Sequence, residues 1–220
     1  MAHLPITHSE VPIRLFKSDY LEFFTHIHPA VIVIIWLPLA IYLMTRAVIT
    51  RVAGASILYL PVGFLLGVFL WTFTEYSLHR WVFHYEPRTP RQERIIFLFH
   101  GIHHAQPQCK TRLVMPPAVS IPGALIYFGL LNLILGALLG IPQWILPISS
   151  GLVSGYLAYD LTHYATHHFP MRHGFLKFLK RYHMKHHYKT PKSRYGVSSP
   201  LWDMVFGTFP EDERRVAEAQ

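Results

Sequence analysis

Three stretches of this chain carry no Asp, Glu, Lys or Arg, and their lengths set the class of fold. Between Glu22 and Arg46 lie 23 such positions, between Arg51 and Glu75 another 23, and between Arg112 and Asp160 there are 47. A helix needs about 20 apolar residues to cross the hydrocarbon core of a bilayer. The first two stretches therefore predict one span each, roughly 29–45 and 54–73. The third predicts two, roughly 121–140 and 143–162, with the break at Gly140-Ile141-Pro142-Gln143. Hydrophobic residues make up 51% of the chain and charged residues only 15%, against roughly 25% charged in an average soluble domain. That balance excludes disorder and leaves a soluble protein too little charge to cover its surface. Pro38 and Pro61 lie inside predicted spans, where membrane helices tolerate them. The first span lacks the short apolar region and small-residue cleavage site of a signal peptide.

Charge asymmetry orients these spans. Six basic residues lie from Arg80 to Arg112 and eight from Arg172 to Arg194. The turn after the first span holds only Arg46 and Arg51, and the turn after the third holds none. The positive-inside rule then puts both termini and both basic segments in the cytoplasm. The net charge of +8 is accounted for by topology and anionic lipid. No basic groove interleaved with stacking aromatics is present, so nucleic acid is not an expected partner. Residues 1–28 form an N-terminal segment in which Ile13–Phe24 mixes apolar and charged side chains at near-helical spacing. It is expected either to lie on the bilayer surface or to pack on the cytosolic part. Residues 29–210 make the membrane domain and 211–220 a tail. The predicted fold is thus an all-α integral membrane protein of four transmembrane helices, with a cytosolic helical cap.

Histidine is the outlier of the composition, with 16 residues, 12 of them between His79 and His187. Apart from His173, they fall into four groups: His79 and His84; His100, His103 and His104; His163, His167 and His168; His183, His186 and His187. Residues at i, i+3 and i+4 share a helical face, so the second and fourth groups each project three imidazoles from one side. His79 and His84 are about 140° apart on an α-helix, as are His163 and His168. Neutral imidazole is the commonest metal ligand, and ten or eleven of them exceed what one ion accepts. Two ions sharing the set is the economical solution. With one cysteine, Cys109, there is no thiolate cluster, and an all-imidazole set suits iron, zinc, copper or nickel. All four groups fall on the cytoplasmic side of the predicted spans, at the membrane boundary. That suits chemistry on a lipid better than a metal channel, whose ligands sit near the midplane. Asp160 and Glu75, each one turn before a histidine, are candidates to anchor a ligand's second ring nitrogen. His168 is read as a supporting residue outside the ligand set, and His3, His8, His26 and His28 as ordinary polar surface.

Further motifs surround these histidines. Glu75-Tyr76-Ser77-Leu78-His79-Arg80 leads into Phe83-His84; Arg112-Leu113-Val114-Met115-Pro116-Pro117 follows the second group; Tyr195-Gly196-Val197-Ser198-Ser199-Pro200-Leu201-Trp202-Asp203 precedes Phe206-Gly207-Thr208. Together they resemble the membrane fatty acid hydroxylase superfamily, and its fatty acid 2-hydroxylase branch in particular, over about residues 12–210. Sterol and carotenoid hydroxylases and desaturases share the histidines but are less similar in these flanks. The resemblance implies a non-haem diiron monooxygenase with O₂ as co-substrate, acting on C2 of a long fatty acyl chain, one of sphingolipid. Zinc fits the same ligand type as a substitute for iron. It implies as metal ligands His79, His84, His100, His103, His104, His163, His167, His183, His186 and His187. Members that carry a cytochrome b5 domain supply their own electrons. Here a separate electron-transfer protein, cytochrome b5-like or ferredoxin-like, is expected. Lys110 and Arg112 are candidates to orient the polar end of the acyl substrate. The expected location is a bacterial inner membrane or the endoplasmic reticulum.

Overall fold

A computed structural model describes residues 6–52, 54 and 56–213. Among these residues the chain is entirely helical and loop, with no strand. Four long helices form two hairpins. α2 (Pro29–Ile49) runs away from the histidines and α3 (Tyr59–Ser77) returns. α6 (Pro117–Leu131) runs away again, continuing as a π-helical segment Asn132–Leu138, and α7 (Ile145–His168) returns. Gly54 and Gly140, at the two hairpin turns, have φ of +81° and +66°, a conformation open to glycine at no steric cost. Three helical stretches are long and apolar enough to cross a membrane, Pro29–Ile49, Tyr59–Phe83 and Pro117–Leu138.

α7 was read above as a fourth span over 143–162. It is a 24-residue helix packed against α2, α3 and α6. Its buried Ser149, Ser150 and Asp160 explain why its composition is less apolar than that of its neighbours. The element bounds also shift: the first helix extends to Ile49, and the second starts at Tyr59 and runs on through a π turn to Phe83.

The α3–α7 crossing is made by glycine. A Cβ on Gly67 would lie 2.1 Å from the Ile148 carbonyl oxygen, and one on Gly151 would lie 2.0 Å from that of Phe64. Backbone touches backbone there, as small residues allow in membrane helix pairs. Trp71 fills the next turn against Gly155 and meets Tyr156 edge-on at 5.2 Å. Ser150 ties in α2 by donating to the Ala40 carbonyl at 2.8 Å. This contact brings the C-terminal ends of α3 and α7 side by side, with histidines in the last turns of α7 and in the π turn that follows α3.

The cap is built from α4 (Pro90–Ile96), α5 (Ile102–Ala105), α8 (Gly174–Tyr188) and α9 (Leu201–Val205). Trp202 docks α9 on α3 by donating to Thr72 Oγ1 at 2.9 Å and packing edge-on against Phe73. Asp212 and Glu213, at the start of the predicted tail, are tied to Lys185, Arg181 and Arg194. The N-terminal segment packs on the cap, but not as the continuous helix its near-helical spacing predicts. Only Asp19–Phe23 is helical (α1). The rest is an extended strap pinned to the 105–112 segment: Thr7 N–H donates to the Ala105 carbonyl, Ile13 N–H to Gln106 Oε1, and Ile27 N–H to the Thr111 carbonyl. Backbone groups that find partners in another segment have no need of a helix of their own. His3 and residues 214–220 lie outside the described residues.

Candidate metal centre

Ten imidazoles converge as two sets of five. His79, His84, His100, His104 and His186 form one; His103, His163, His167, His183 and His187 form the other. Within each set the candidate ligand atoms all lie within 4.8 Å of one another. The three-imidazole faces do not each serve one centre, as a simple helical wheel suggests. His100 and His104 turn to the first set while His103 turns to the second; His183 and His187 turn to the second while His186 turns to the first. On a helix the i+4 ring sits about 40° to one side of i and the i+3 ring about 60° to the other. One helix face therefore serves two neighbouring centres, and the His104 and His187 rings stack across the junction at 4.2 Å.

His79 and His84 are brought together by the π turn Leu78–Phe83, in which His84 N–H donates to the His79 carbonyl at 3.0 Å. The wider turn carries residue i+5 back over residue i, so the 140° separation of an α-helix does not hold. A second π turn, Phe97–Gly101, leads into α5 and positions His100.

The geometry fits metal ions. Contacts between Nε2 atoms run 2.9 Å for His100–His104, 3.1 Å for His84–His186 and 3.0 Å for His103–His163, His167–His183 and His183–His187. Two Nε2 atoms each about 2.1 Å from an ion, at right angles, stand about 3.0 Å apart. His79 donates from Nδ1 to the Tyr195 carbonyl and His186 from Nδ1 to that of Ser193 at 2.7 Å. Those bonds leave each Nε2 a bare lone pair, and the buried His79 Nε2 has no hydrogen-bond partner among the described residues. Burial, reinforced by neighbouring imidazoles, pushes His84 down to about 2; burial pushes His186 down to about 4. It also holds His100, His103, His104, His183 and His187 well below the usual histidine range. The rings are thus neutral at pH 7, the form that binds metal.

A cavity of about 270 Å³ opens onto both sets, touching His100 of the first and His103 and His163 of the second. Its other walls are largely apolar, among them Phe16, Leu98, Val114 and Val119.

Comparison with known proteins decides the family. The sequence profile described as fatty acid hydroxylase matches residues 64–208. The chain belongs to the fatty acid hydroxylase family. Among curated members it is 36% identical over 208 residues to a dihydroceramide fatty acyl 2-hydroxylase of Arabidopsis thaliana, covering 94% of this chain and 84% of that one. It is 38% identical to the ceramide very long chain fatty acid hydroxylase scs7 of Schizosaccharomyces pombe, over 87% of this chain and 53% of the relative. A solved structure described as full-length scs7p, with only the hydroxylase domain visible, superimposes with a TM-score of 0.78 at 35% identity. That match covers 89% of this chain and 71% of that one.

The residues around the ligands in this family member are arranged differently from the sequence expectation. Neither Glu75 nor Asp160 bonds an imidazole. Glu75 accepts from the Val197 and Ser198 backbone N–H at 2.6 and 2.8 Å and from the Ser198 hydroxyl. It holds the loop whose Tyr195 carbonyl anchors His79, so it acts on the ligand through the backbone. Asp160 accepts from Tyr156 Oη at 2.9 Å and Met115 N–H at 3.2 Å, fixing the top of α6. His168 lies outside both sets with its ring against Tyr164 at 4.7 Å. Lys110 is paired with Glu10 on the surface at 3.1 Å and is not among the cavity walls, whereas Arg112 is. Asp203 was legible as part of the 195–203 motif but its role was not: it accepts from the Tyr195 and Gly196 N–H at 2.9 and 2.7 Å and clamps the same loop as Glu75. Sequence reasoning missed Glu22, which bonds Arg112 and His26. His26 is therefore part of a half-buried network with Glu22 and Arg112, and His28 caps α2 by accepting from Ala30 N–H. A carboxylate between aromatics after the last histidine group was the available signal for Asp203; Glu22 gave none.

Proposed function

We propose that this chain is a non-haem diiron monooxygenase that places a hydroxyl on C2 of a long-chain fatty acyl group, one held in a sphingolipid. The observation that carries this reading is a largely apolar cavity whose walls include ligands from both five-imidazole sets. The names of its relatives, a dihydroceramide fatty acyl 2-hydroxylase and a ceramide very long chain fatty acid hydroxylase, support the position and the substrate class.

A pair of iron ions, when bound, would supply the activation of O₂ that no side chain performs. Zinc would occupy the same imidazoles without redox chemistry. The balance is one C–H bond and one O₂ consumed, with two electrons and two protons, to give the alcohol and one water. The electrons come from a separate electron-transfer protein. The chain's own residues do the rest. His79 and His186, fixed by the Tyr195 and Ser193 carbonyls, present Nε2 inward. Leu98, Val114 and Val119 exclude water from the space beside them, which protects a reactive centre from side reactions. Arg112 is held by Glu22 at 2.6 Å, while its Nε and Nη1 have no hydrogen-bond partner among the described residues. A guanidinium in the cavity wall with free donors is suited to the carbonyl oxygen next to C2. We further propose that α7 crosses the membrane as a fourth span and that cap and termini face the cytoplasm, a topology supported by the basic segments.

Lipid extracts of cells expressing the chain, analysed by mass spectrometry, test the reading. Acyl groups heavier by one oxygen, with the hydroxyl mapped to C2 by fragmentation, are the expected result. Loss of two hydrogens would identify a desaturase, and unchanged lipids a metal-binding protein without this activity.

A further inference from the structure

The cavity is bounded on one side by the N-terminal strap, which lies outside residues 64–208 matched by the family profile. Leu15, Phe16, Phe24 and Thr25 of the strap line it. Glu22 fastens this wall from both directions. Its Oε2 accepts from the Leu15 and Phe16 N–H at 2.9 and 2.8 Å, and its Oε1 from Arg112 Nη2 at 2.6 Å. His26 adds a bond to Thr111 Oγ1 at 3.0 Å. The strap is therefore a built part of the cavity rather than a loose leader.

Cavity walls that are also exposed mark its mouth. Phe24 is 41% and Phe99 51% exposed, and Ala118 at the start of α6 is exposed too. From Ala118 the outer face of α6 continues through Ile121 and Leu125, the latter 66% exposed, along a helix apolar enough to cross a membrane. On the other flank α1 presents Tyr20, Leu21 and Phe23 outward, 72%, 48% and 71% exposed. Apolar and aromatic side chains of this kind settle at the boundary between headgroups and hydrocarbon. The mouth thus opens toward lipid. At about 270 Å³ the cavity is below the roughly 300–1,000 Å³ of ordinary small-molecule pockets, so a two-chain lipid cannot lie wholly inside it.

We infer that the gap between Phe24, Phe99 and Ala118 is a lateral portal through which one long-chain acyl lipid reaches the histidine sets directly from the bilayer, with Phe16 and Phe24 of the strap as its substrate-positioning wall. This rests on the hydroxylase reading for the identity of the lipid. The rest of that lipid stays in the membrane beside α1 and α6.

The test uses the full chain in lipid nanodiscs and an N-acyl sphinganine carrying a mid-chain diazirine. Photolysis without turnover is expected to place adducts on residues 15–25, on Phe99 or on the first turn of α6. Phe24→Trp narrows the portal. It should cut that labelling and raise KM about tenfold, with kcat and metal content within twofold of wild type. Phe24→Ala widens the mouth but removes part of that wall, so it should keep the labelling and raise KM by less than F24W does. Adducts confined to other helices, or F24W matching wild type in both labelling and KM, would overturn the portal. Loss of labelling in both variants would also overturn it, marking Phe24 as structural. If wild type oxidises no acyl lipid, the hydroxylase reading fails, and the photolabelling still judges the portal by itself.

Discussion

Single residues divide the labour between the two histidine sets, and metal counting can see the division. His186 belongs to the first set and His103 to the second, although each sits in a group whose other members serve the opposite set. His186→Ala should therefore lower bound metal from two ions per chain toward one while the second set stays loaded, and His103→Ala should do the converse. Elemental analysis combined with product assay checks this; full metal content or normal hydroxylation in either variant would refute the assignment. Glu75 works at one remove. Its carboxylate fixes the Val197–Ser198 backbone, and that loop presents the Tyr195 carbonyl to His79 Nδ1. Groups that orient a metal ligand typically contribute 10- to 100-fold in affinity. Glu75→Gln keeps the shape and loses the charge, so it should weaken metal retention in the first set by about tenfold and spare the second. Competition with a chelator measures it.

At the scale of elements, the positions of the helices depend on glycine contacts that could have been read and on π turns that could not. Gly63 and Gly67, and Gly151 and Gly155, are i, i+4 pairs in apolar stretches, a spacing that signals close packing in membranes. A Cβ on Gly67 would collide with the backbone of α7, but one on Gly129 of α6 meets nothing within 4 Å. Gly67→Ala should destabilise the protein by about 3 kcal/mol or more, since no side chain can move aside. Gly129→Ala should be neutral or stabilising by up to about 1 kcal/mol. Thermal unfolding in detergent compares the two. The long helices were legible because the absence of charge is a one-dimensional signal. The convergence of His79 with His84 was not, because an α-helical wheel assigns every residue the same 100° step and the Leu78–Phe83 turn breaks that step. The strap was illegible for a related reason. Its backbone is satisfied by Gln106, Ala105 and Thr111, about a hundred residues away, and no local pattern encodes a distant partner.

Across the whole molecule, ten imidazoles gathered at one end of a helical bundle tie folding to proton concentration. The ligand positions were readable from the sequence as four groups, but their partition into two sets required the packing of α3 against α7 and of α8 beneath them. Burial keeps these rings from charging, pushing His84 down to about 2 and His186 down to about 4, against roughly 6.5 in an unfolded chain. Below pH 6.5 the unfolded state binds protons that the folded state refuses. Stability then rises with pH and is lost as pH falls. The loss begins near the unfolded value and, for His186, continues down to about 4. Each such ring contributes about 1.4 kcal/mol per pH unit within its window. Bound metal acts in the same direction, because protons and ions compete for the same Nε2 atoms. The melting midpoint of chelator-treated protein should be level above pH 7.5 and fall steeply between pH 6.5 and 5. The metal-loaded protein should release its ions over that interval and regain them on return to pH 7.5. A flat midpoint and constant metal content down to pH 5 would mean that the imidazoles are not buried together at neutral charge, and the two-set centre would be wrong.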